Sequence, residues 1–145
     1  MKNPRRKLKD KLGELHLRVL KLERNNSDTC EICGRRGVVL GRFHILRTAS
    51  HLRLEYIDEN ILLTDWFPCH NAWHSSGAND PRNIQTFNRI IELCGKNYKD
   101  KLLLIEKTID KHSMLYLEAL YFYFKERLKK LEEGSDSLPY LESKH

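Results

Sequence analysis

No run of eighteen apolar residues occurs in this 145-residue chain, so the sequence offers no candidate for a membrane-spanning helix. The first residues lack the short apolar stretch and small-residue cleavage site of a secretory signal, and the protein is expected to be cytosolic. No internal repeat is present, which removes solenoid and propeller architectures. At this length one domain with a modest core and helical extensions is expected, and a second independent domain is not. Only four cysteines are present, two of them as Cys30-x-x-Cys33. In a reducing compartment that count points to metal binding or redox chemistry before structural disulfides.

What is present is a basic excess with a location. The net charge is +6. Residues 1–24 hold nine Lys or Arg against Asp10, Glu14 and Glu23, while the other 121 residues carry 17 basic and 17 acidic side chains. The whole excess therefore sits in the N-terminal arm, where it either meets phosphates or keeps a helix soluble. Leu8, Leu12, Leu15, Val19 and Leu22 recur at helical spacing and predict an amphipathic helix from Lys7 to Arg24, started by Pro4 and stopped by Asn25-Asn26-Ser27-Asp28.

After a Gly-containing turn at Cys30–Gly37, Val38–Leu46 reads as a strand and a second strand is expected at about Asn60–Thr64. Arg47–Glu59 has no clean period and reads as a long loop, a feature of functional sites in small domains. Cys69–Ser75 fits a short helix. A clearer helix begins at the N-cap Asp80 with Pro81 in its first turn, places Ile84, Phe87, Ile90 and Ile91 on one face, and ends at Gly95. Two more helices are expected at about Tyr98–Ile109 and Met114–Glu133, followed by a mobile tail from Ser135 to His145. The element order is that of an α+β protein dominated by helix.

Cys30 and Cys33 have the spacing with which a tight turn offers two thiolates to one zinc ion, and Cys69 supplies a third thiol after the second strand. Asp65, four residues earlier, is the nearest candidate for the fourth ligand; Cys94, on the apolar side of a helix, is the alternative and reads more simply as a buried free cysteine. A redox role for Cys30 and Cys33 is the weaker reading, because a thiol pair of that kind opens a helix, whereas here a turn and a strand follow. His70 and His74 stand four apart, so on a helix both imidazoles project from one face and can converge on one ion.

The ordered set His44, Asn60 and Cys69-His70-x-x-x-His74, framed by Cys30-x-x-Cys33, resembles the HNH (His-Asn-His) or ββα-metal endonucleases over about residues 30–76. It looks closest to the phage-type branch with a zinc-binding cysteine knuckle, and Leu52-Arg53-Leu54 through Glu59-Asn60 is similar to the recombination nucleases of lambdoid phages. The resemblance implies a small ββα-metal finger with structural zinc, flanked by the N-terminal basic helix (1–26) and C-terminal helices. The nuclease core would span 27–95, the helical extension 96–134 and the tail 135–145. It implies a DNA phosphodiesterase working in phage or prophage DNA processing within a bacterial cytoplasm. His44 would be the general base, and Asn60 would hold the loop and orient the His44 ring through a hydrogen bond. His70 and His74 would bind a catalytic magnesium or manganese ion. Cys30, Cys33, Cys69 and Asp65 would bind structural zinc.

Duplex or branched DNA is the expected partner, with Arg53, Arg47 and Arg42 near the site and Arg5, Arg6 and Lys7 in the arm as phosphate contacts. Arg82 and Arg89, on the helix after the finger, would follow the DNA backbone. Trp66, Phe67 and Trp73 read first as core filling and second as base-stacking rings. The aromatic cluster of the last helix, from Tyr116 to Phe124, is wide enough to be covered on more than one side, by the N-terminal helix or by a second copy in a homodimer. Two positions depart from the family pattern. Phe43 stands where an aspartate or histidine ligand usually precedes the base, which leaves the catalytic metal two protein ligands, with water and phosphate oxygens in the remaining positions, unless His51 or Asp58 swings in as a third; Asp65 stands where the first cysteine of a second pair is common. These departures keep a rival reading in view, a zinc-dependent DNA-binding or recombination accessory protein that has lost catalysis.

Overall fold

The structure, a computed structural model, describes residues 3–70, 73 and 80–144. The chain forms two compact units, Ser27–Lys111 on the one hand and Met1–Asn26 with His112–His145 on the other. Among the described residues there are four α-helices and one two-stranded antiparallel sheet, so the chain is α+β. None of these helices is long and apolar enough to cross a membrane.

In the first unit, β1 (Leu40–His44) pairs with β2 (Ile61–Asp65) in a register that sets Leu40 opposite Asp65 and His44 opposite Ile61. All five residues of β2 are buried, as expected of a strand covered on both faces. In β1, Phe43 is buried while its neighbours Arg42 and His44 are only half buried, the period-two alternation of a strand with one face on the core. The connection between the strands is not a structureless loop, since it folds into 3₁₀ turns at Leu52–Leu54 and Asp58–Asn60.

Beyond β2 the chain makes a π-helical turn, Trp66–His70, where the sequence predicts the approach to a short helix from Cys69; most of that expected helix lies outside the described residues. Then come α2 (Pro81–Cys94) and α3 (Tyr98–Thr108). The start of α2 is as predicted: the Asp80 carboxylate accepts from the Arg82 N–H at 2.8 Å, and Gly95 takes a positive φ of 93° at the other end. The core gathers Phe43, Ile45, Leu54, Leu62, Ile90 and Leu102 around Cys30 and Cys69. Cys94 is partly buried and packed against this core, and Ile84 and Phe87 are exposed although they share the apolar face of α2.

The second unit pairs α1 (Pro4–Glu23) with α4 (Met114–Lys144). Arg5 donates to the His112 carbonyl near the start of both helices, and Arg127 pairs with Glu23 further along, so the two run the same way. Parallel helices need a long crossover, and Ser27–Lys111 supplies it. The buried face of α1 is Leu12, Leu15, His16, Val19 and Leu20; Leu22, predicted to belong to it, is exposed. His16 joins the buried face, its ring stacked on Phe124 with centroids 4.8 Å apart. On α4, Leu117, Phe124 and Leu128 are buried, whereas Leu115, Phe122 and Tyr123 are exposed. The helix continues past Gly134, where the sequence predicts its end, through Lys144.

Candidate functional site

The cysteine knuckle is shaped by backbone hydrogen bonds. The Cys30 N–H donates to the Arg35 carbonyl at 2.9 Å and the Gly34 N–H donates back to the Cys30 carbonyl at 2.9 Å. That reversal requires the left-handed conformation at Gly34, φ 76°, where a side chain would be strained. The turn is hung on the outer edge of β2: the Glu31 N–H donates to the Leu63 carbonyl at 2.8 Å, and the Leu63 N–H donates to the Glu31 carboxylate at 2.6 Å. Arg89 of α2 donates to the Glu31 carbonyl at 2.8 Å and pairs with Glu92, so this arginine braces the knuckle rather than waiting for DNA.

Cys69, carried by the π turn, meets the knuckle from the other side. The sulfurs of Cys30, Cys33 and Cys69 all lie within 4.8 Å of one another, and Cys30 and Cys69 are 3.7 Å apart. Two thiolates on one tetrahedral zinc stand about 3.8 Å apart, because each Zn–S bond is about 2.3 Å. The Cys30–Cys69 pair therefore has the spacing of two thiolates on one zinc ion, and Cys33 lies close enough to join them. Their acidities agree with this. Burial pushes the Cys30 thiol up, but the N–H groups of Cys33, Asp65 and Ile32 directed at its sulfur outweigh burial and leave it below its ordinary value. Burial, reinforced by the neighbouring Cys30 and Cys33 sulfurs, drives Cys69 far upward. A cation among the three sulfurs would relieve the crowding that opposes ionisation of Cys69.

The predicted fourth ligand does not join them. Among the described residues the metal-ligating group stops at three thiols. The Asp65 carboxylate faces the Arg35 guanidinium at 3.7 Å, and what Asp65 contributes to the cluster is its backbone N–H. The physical reason is strand geometry: Asp65 ends β2 opposite Leu40, with its amide rather than its side chain toward the sulfurs.

His44 ends β1. Its Nε2 lies 3.0 Å from the Glu55 carbonyl oxygen. A carbonyl only accepts, so Nε2 carries the hydrogen and, in the neutral ring, the basic lone pair is on Nδ1. Asn60 is 0% exposed and its amide closes the connection between the strands: Oδ1 accepts from the Leu46 N–H at 2.8 Å, while Nδ2 donates to the carbonyls of Leu46 at 3.0 Å and Leu54 at 3.3 Å. The expected hydrogen bond from Asn60 to the His44 ring is thus replaced by an indirect one. Asn60 fixes Leu54, and the next carbonyl along, that of Glu55, orients the ring.

His70 ends the π turn between two rings, Trp66 at 4.4 Å and Phe43 edge-on at 6.0 Å. Phe43 itself is 0% exposed, packed against Trp73 and His70, and is no ligand. Trp66 is 48% exposed, not core, and its ring lies over Gly41, where even a Cβ would come within 2.5 Å. His74 lies outside the described residues. Of the two suggested substitutes for a third ligand, His51 is engaged by both Glu106 carboxylate oxygens at 3.1 Å and Asp58 sits half buried in its 3₁₀ turn.

The predicted phosphate contacts divide. Arg53 is exposed in the turn Leu52–Leu54, and Arg47, also exposed, donates to the Trp73 carbonyl at 2.9 Å. Arg42 is different. It donates to the Glu55 carbonyl at 3.0 Å and lies over the Tyr56 ring at 5.2 Å, so it is a packed residue and not an open phosphate clamp. In the arm, Lys7 is exposed, Arg6 pairs with Asp10 at 3.6 Å, and Arg5 is tied to the His112 carbonyl at 2.6 Å. A groove of about 630 Å³ opens beside the inter-strand connection, with Arg47, His51 and Lys99 beside Trp73, Phe87 and Tyr98.

Of the contacts around His44, one has no signal in the sequence and one has. The Glu55 carbonyl is a backbone acceptor and leaves no trace in residue type. The pairing of Arg42 with His44 did leave one, since residues two apart on a strand share a face. Comparison of the chain with protein-family models, with curated proteins and with solved structures gave no match.

Proposed function

We propose that the chain is a metal-dependent DNA endonuclease of the ββα-metal (HNH) kind, acting on duplex or branched DNA. The observation that carries this reading is the held imidazole: His44 has its Nε2 fixed on a backbone carbonyl, which leaves Nδ1 as the base. In that role Nδ1 takes a proton from water, the water oxygen bonds to phosphorus, and the bond from phosphorus to the 3′ oxygen breaks with its electron pair leaving on that oxygen. His70 and His74 are the residues that would hold a magnesium or manganese ion, whose chemistry is to stabilise charge on the phosphate and on the departing oxygen. Support for His70 comes from the two rings that fix its orientation. The three cysteines would hold zinc as a structural brace between knuckle and π turn. The basic and aromatic groove beside the site suits a polyanion with stacking bases.

One observation favours a second reading. Phe43 is fully buried at the position where the family commonly has a ligand, which fits a zinc-dependent DNA-binding module without catalysis. Nicking of supercoiled plasmid separates the two. Wild type and His44→Ala are assayed side by side with magnesium, with manganese and with chelator. Metal-dependent nicking that His44→Ala abolishes supports the nuclease; wild type that shifts DNA in a gel but cuts with neither metal supports the binding module.

A further inference from the structure

Arg42 and His44 are two apart on β1, so their side chains leave the same face of the strand. Both reach across to the segment after the turn Leu52–Leu54 and end on one atom, the Glu55 carbonyl oxygen, each at 3.0 Å. A carbonyl oxygen has two lone pairs, and here both are occupied, one by a guanidinium and one by an imidazole N–H. The preceding carbonyl, that of Leu54, accepts from Asn60. Two consecutive carbonyls of the connection are thus held by three side chains that belong to, or immediately precede, the two strands.

Arg42 has little freedom to leave this place. It is half buried, and its guanidinium lies over Tyr56, which is itself buried. Burial lowers the Arg42 pKa, with Tyr56 and Glu55 acting in the opposite sense, and an arginine remains charged under such shifts. Its positive charge is directed at a neutral backbone oxygen, an arrangement of no use for gripping phosphate. It does polarise and fix that oxygen as the acceptor for His44. It also stands next to the imidazole, since the two donor nitrogens can be no farther apart than their two hydrogen bonds laid end to end.

We propose that Arg42 is a positioning residue for His44: by holding the Glu55 carbonyl, its guanidinium keeps the imidazole in the Nε2–H tautomer with Nδ1 as the basic atom. The catalytic consequence rests on the nuclease reading above. The tautomer does not, and the two are read separately.

The test uses the full-length protein labelled with ¹⁵N-histidine. Long-range ¹H–¹⁵N correlation spectra give the tautomer of each ring, with His44 assigned from a His44→Gln sample. Wild type is expected to show Nε2–H at His44, Arg42→Met a mixture of the two tautomers, and Arg42→Lys, which retains a cationic donor, a return toward the wild-type pattern. Plasmid nicking should follow, with kcat in Arg42→Met down by about tenfold or more, KM within about twofold of wild type, and partial recovery in Arg42→Lys. The proposal is overturned if His44 is Nδ1–H in wild type, or if Arg42→Met leaves the Nε2–H tautomer intact. It is equally overturned if Arg42→Met raises KM alone, which is the behaviour of a phosphate clamp. Should Arg42→Met fail to fold, Arg42→Lys decides by whether its His44 ring keeps a single tautomer. If wild type cuts no DNA, the nuclease reading falls while the tautomer measurement still decides the role of Arg42.

Discussion

Asn60 is the residue whose replacement most directly tests how the inter-strand connection is held. Its amide makes three hydrogen bonds to backbone groups and is 0% exposed, so water cannot replace what is removed. Asn60→Ala takes the side-chain partner from the Leu46 N–H and the Leu46 carbonyl, while the Leu54 carbonyl keeps the Ile57 N–H. An unsatisfied buried group costs about 1–3 kcal/mol, and with some relaxation of the connection the total is expected to be about 3–4 kcal/mol. Against a typical stability of about 5–15 kcal/mol this is a large fraction. Asn60→Asp separates donor from acceptor. At neutral pH it keeps the acceptor for Leu46 N–H but sets a carboxylate against the Leu46 and Leu54 carbonyls, so it should be at least as unstable as Asn60→Ala. That carboxyl would have a raised pKa in the folded state. Its favourable contribution is then complete below the unfolded value of about 4 and is lost as pH rises through the folded value, so the variant should gain on wild type toward acid. Both tryptophans, Trp66 and Trp73, belong to the unit Ser27–Lys111, so urea unfolding followed by tryptophan fluorescence reports that unit. A loss below about 1 kcal/mol in Asn60→Ala, or equal stability of Asn60→Asp and wild type at pH 7, would refute the reasoning.

Three further outcomes are expected. Purified protein should carry one zinc per chain, measured by metal analysis; Cys30→Ser or Cys69→Ser should lose it, Asp65→Asn should keep it, and zinc should be released as pH falls because protons compete for the thiolates. Gly41→Ala places a methyl within 2.5 Å of the Trp66 ring, so the ring should swing off β1, shifting its fluorescence at a cost of about 1–3 kcal/mol. Phe124→Ala removes the ring stacked on His16 and should destabilise the α1–α4 pair by about 3–5 kcal/mol, read as an early loss of helical circular dichroism on heating while tryptophan fluorescence of the other unit is unchanged.

The parts of the fold that were legible in the sequence are those encoded by local chemistry. Asp80, Pro81 and Gly95 bound α2 because a cap, a fixed φ and a left-handed glycine act within one turn. The two strands lie within two residues of their predicted spans, since alternation and β-branching are also local. The thiol triad follows from spacing around a turn that Gly34 permits. Legibility failed where a partner distant in sequence decides. Nothing near His16 announces that Phe124 will stack on it, and a histidine scores as polar, so the predicted stripe shares Leu12, Leu15 and Val19 with the buried face but omits His16 and Leu20. Asp65 has the right chemistry for zinc, but the register of β2 turns its amide to the sulfurs and its carboxylate to Arg35. The sequence suggests a direct hydrogen bond from Asn60 to the His44 ring, but Asn60 holds the Leu54 carbonyl and His44 the Glu55 carbonyl, and a carbonyl has no letter in a sequence.

Phe43 connects the core to the candidate site. Because strands alternate, an inward residue at 43 forces 42 and 44 outward, and the same step that buries this ring presents Arg42 and His44 side by side to the Glu55 carbonyl. The ring also stands edge-on behind His70 and against Trp73, so it supports the imidazole on the far side of the strand from His44. An aspartate or histidine at this position would face the core cluster of Ile45, Leu54, Leu62 and Ile90, where an ionised group without a partner is strongly disfavoured. Restoring a ligand by mutating Phe43 alone is therefore the wrong experiment, since it would empty the packing that holds His70. Loss of binding in such a variant would say nothing about whether two histidines suffice for the ion. That question is answered by keeping Phe43 and varying the metal.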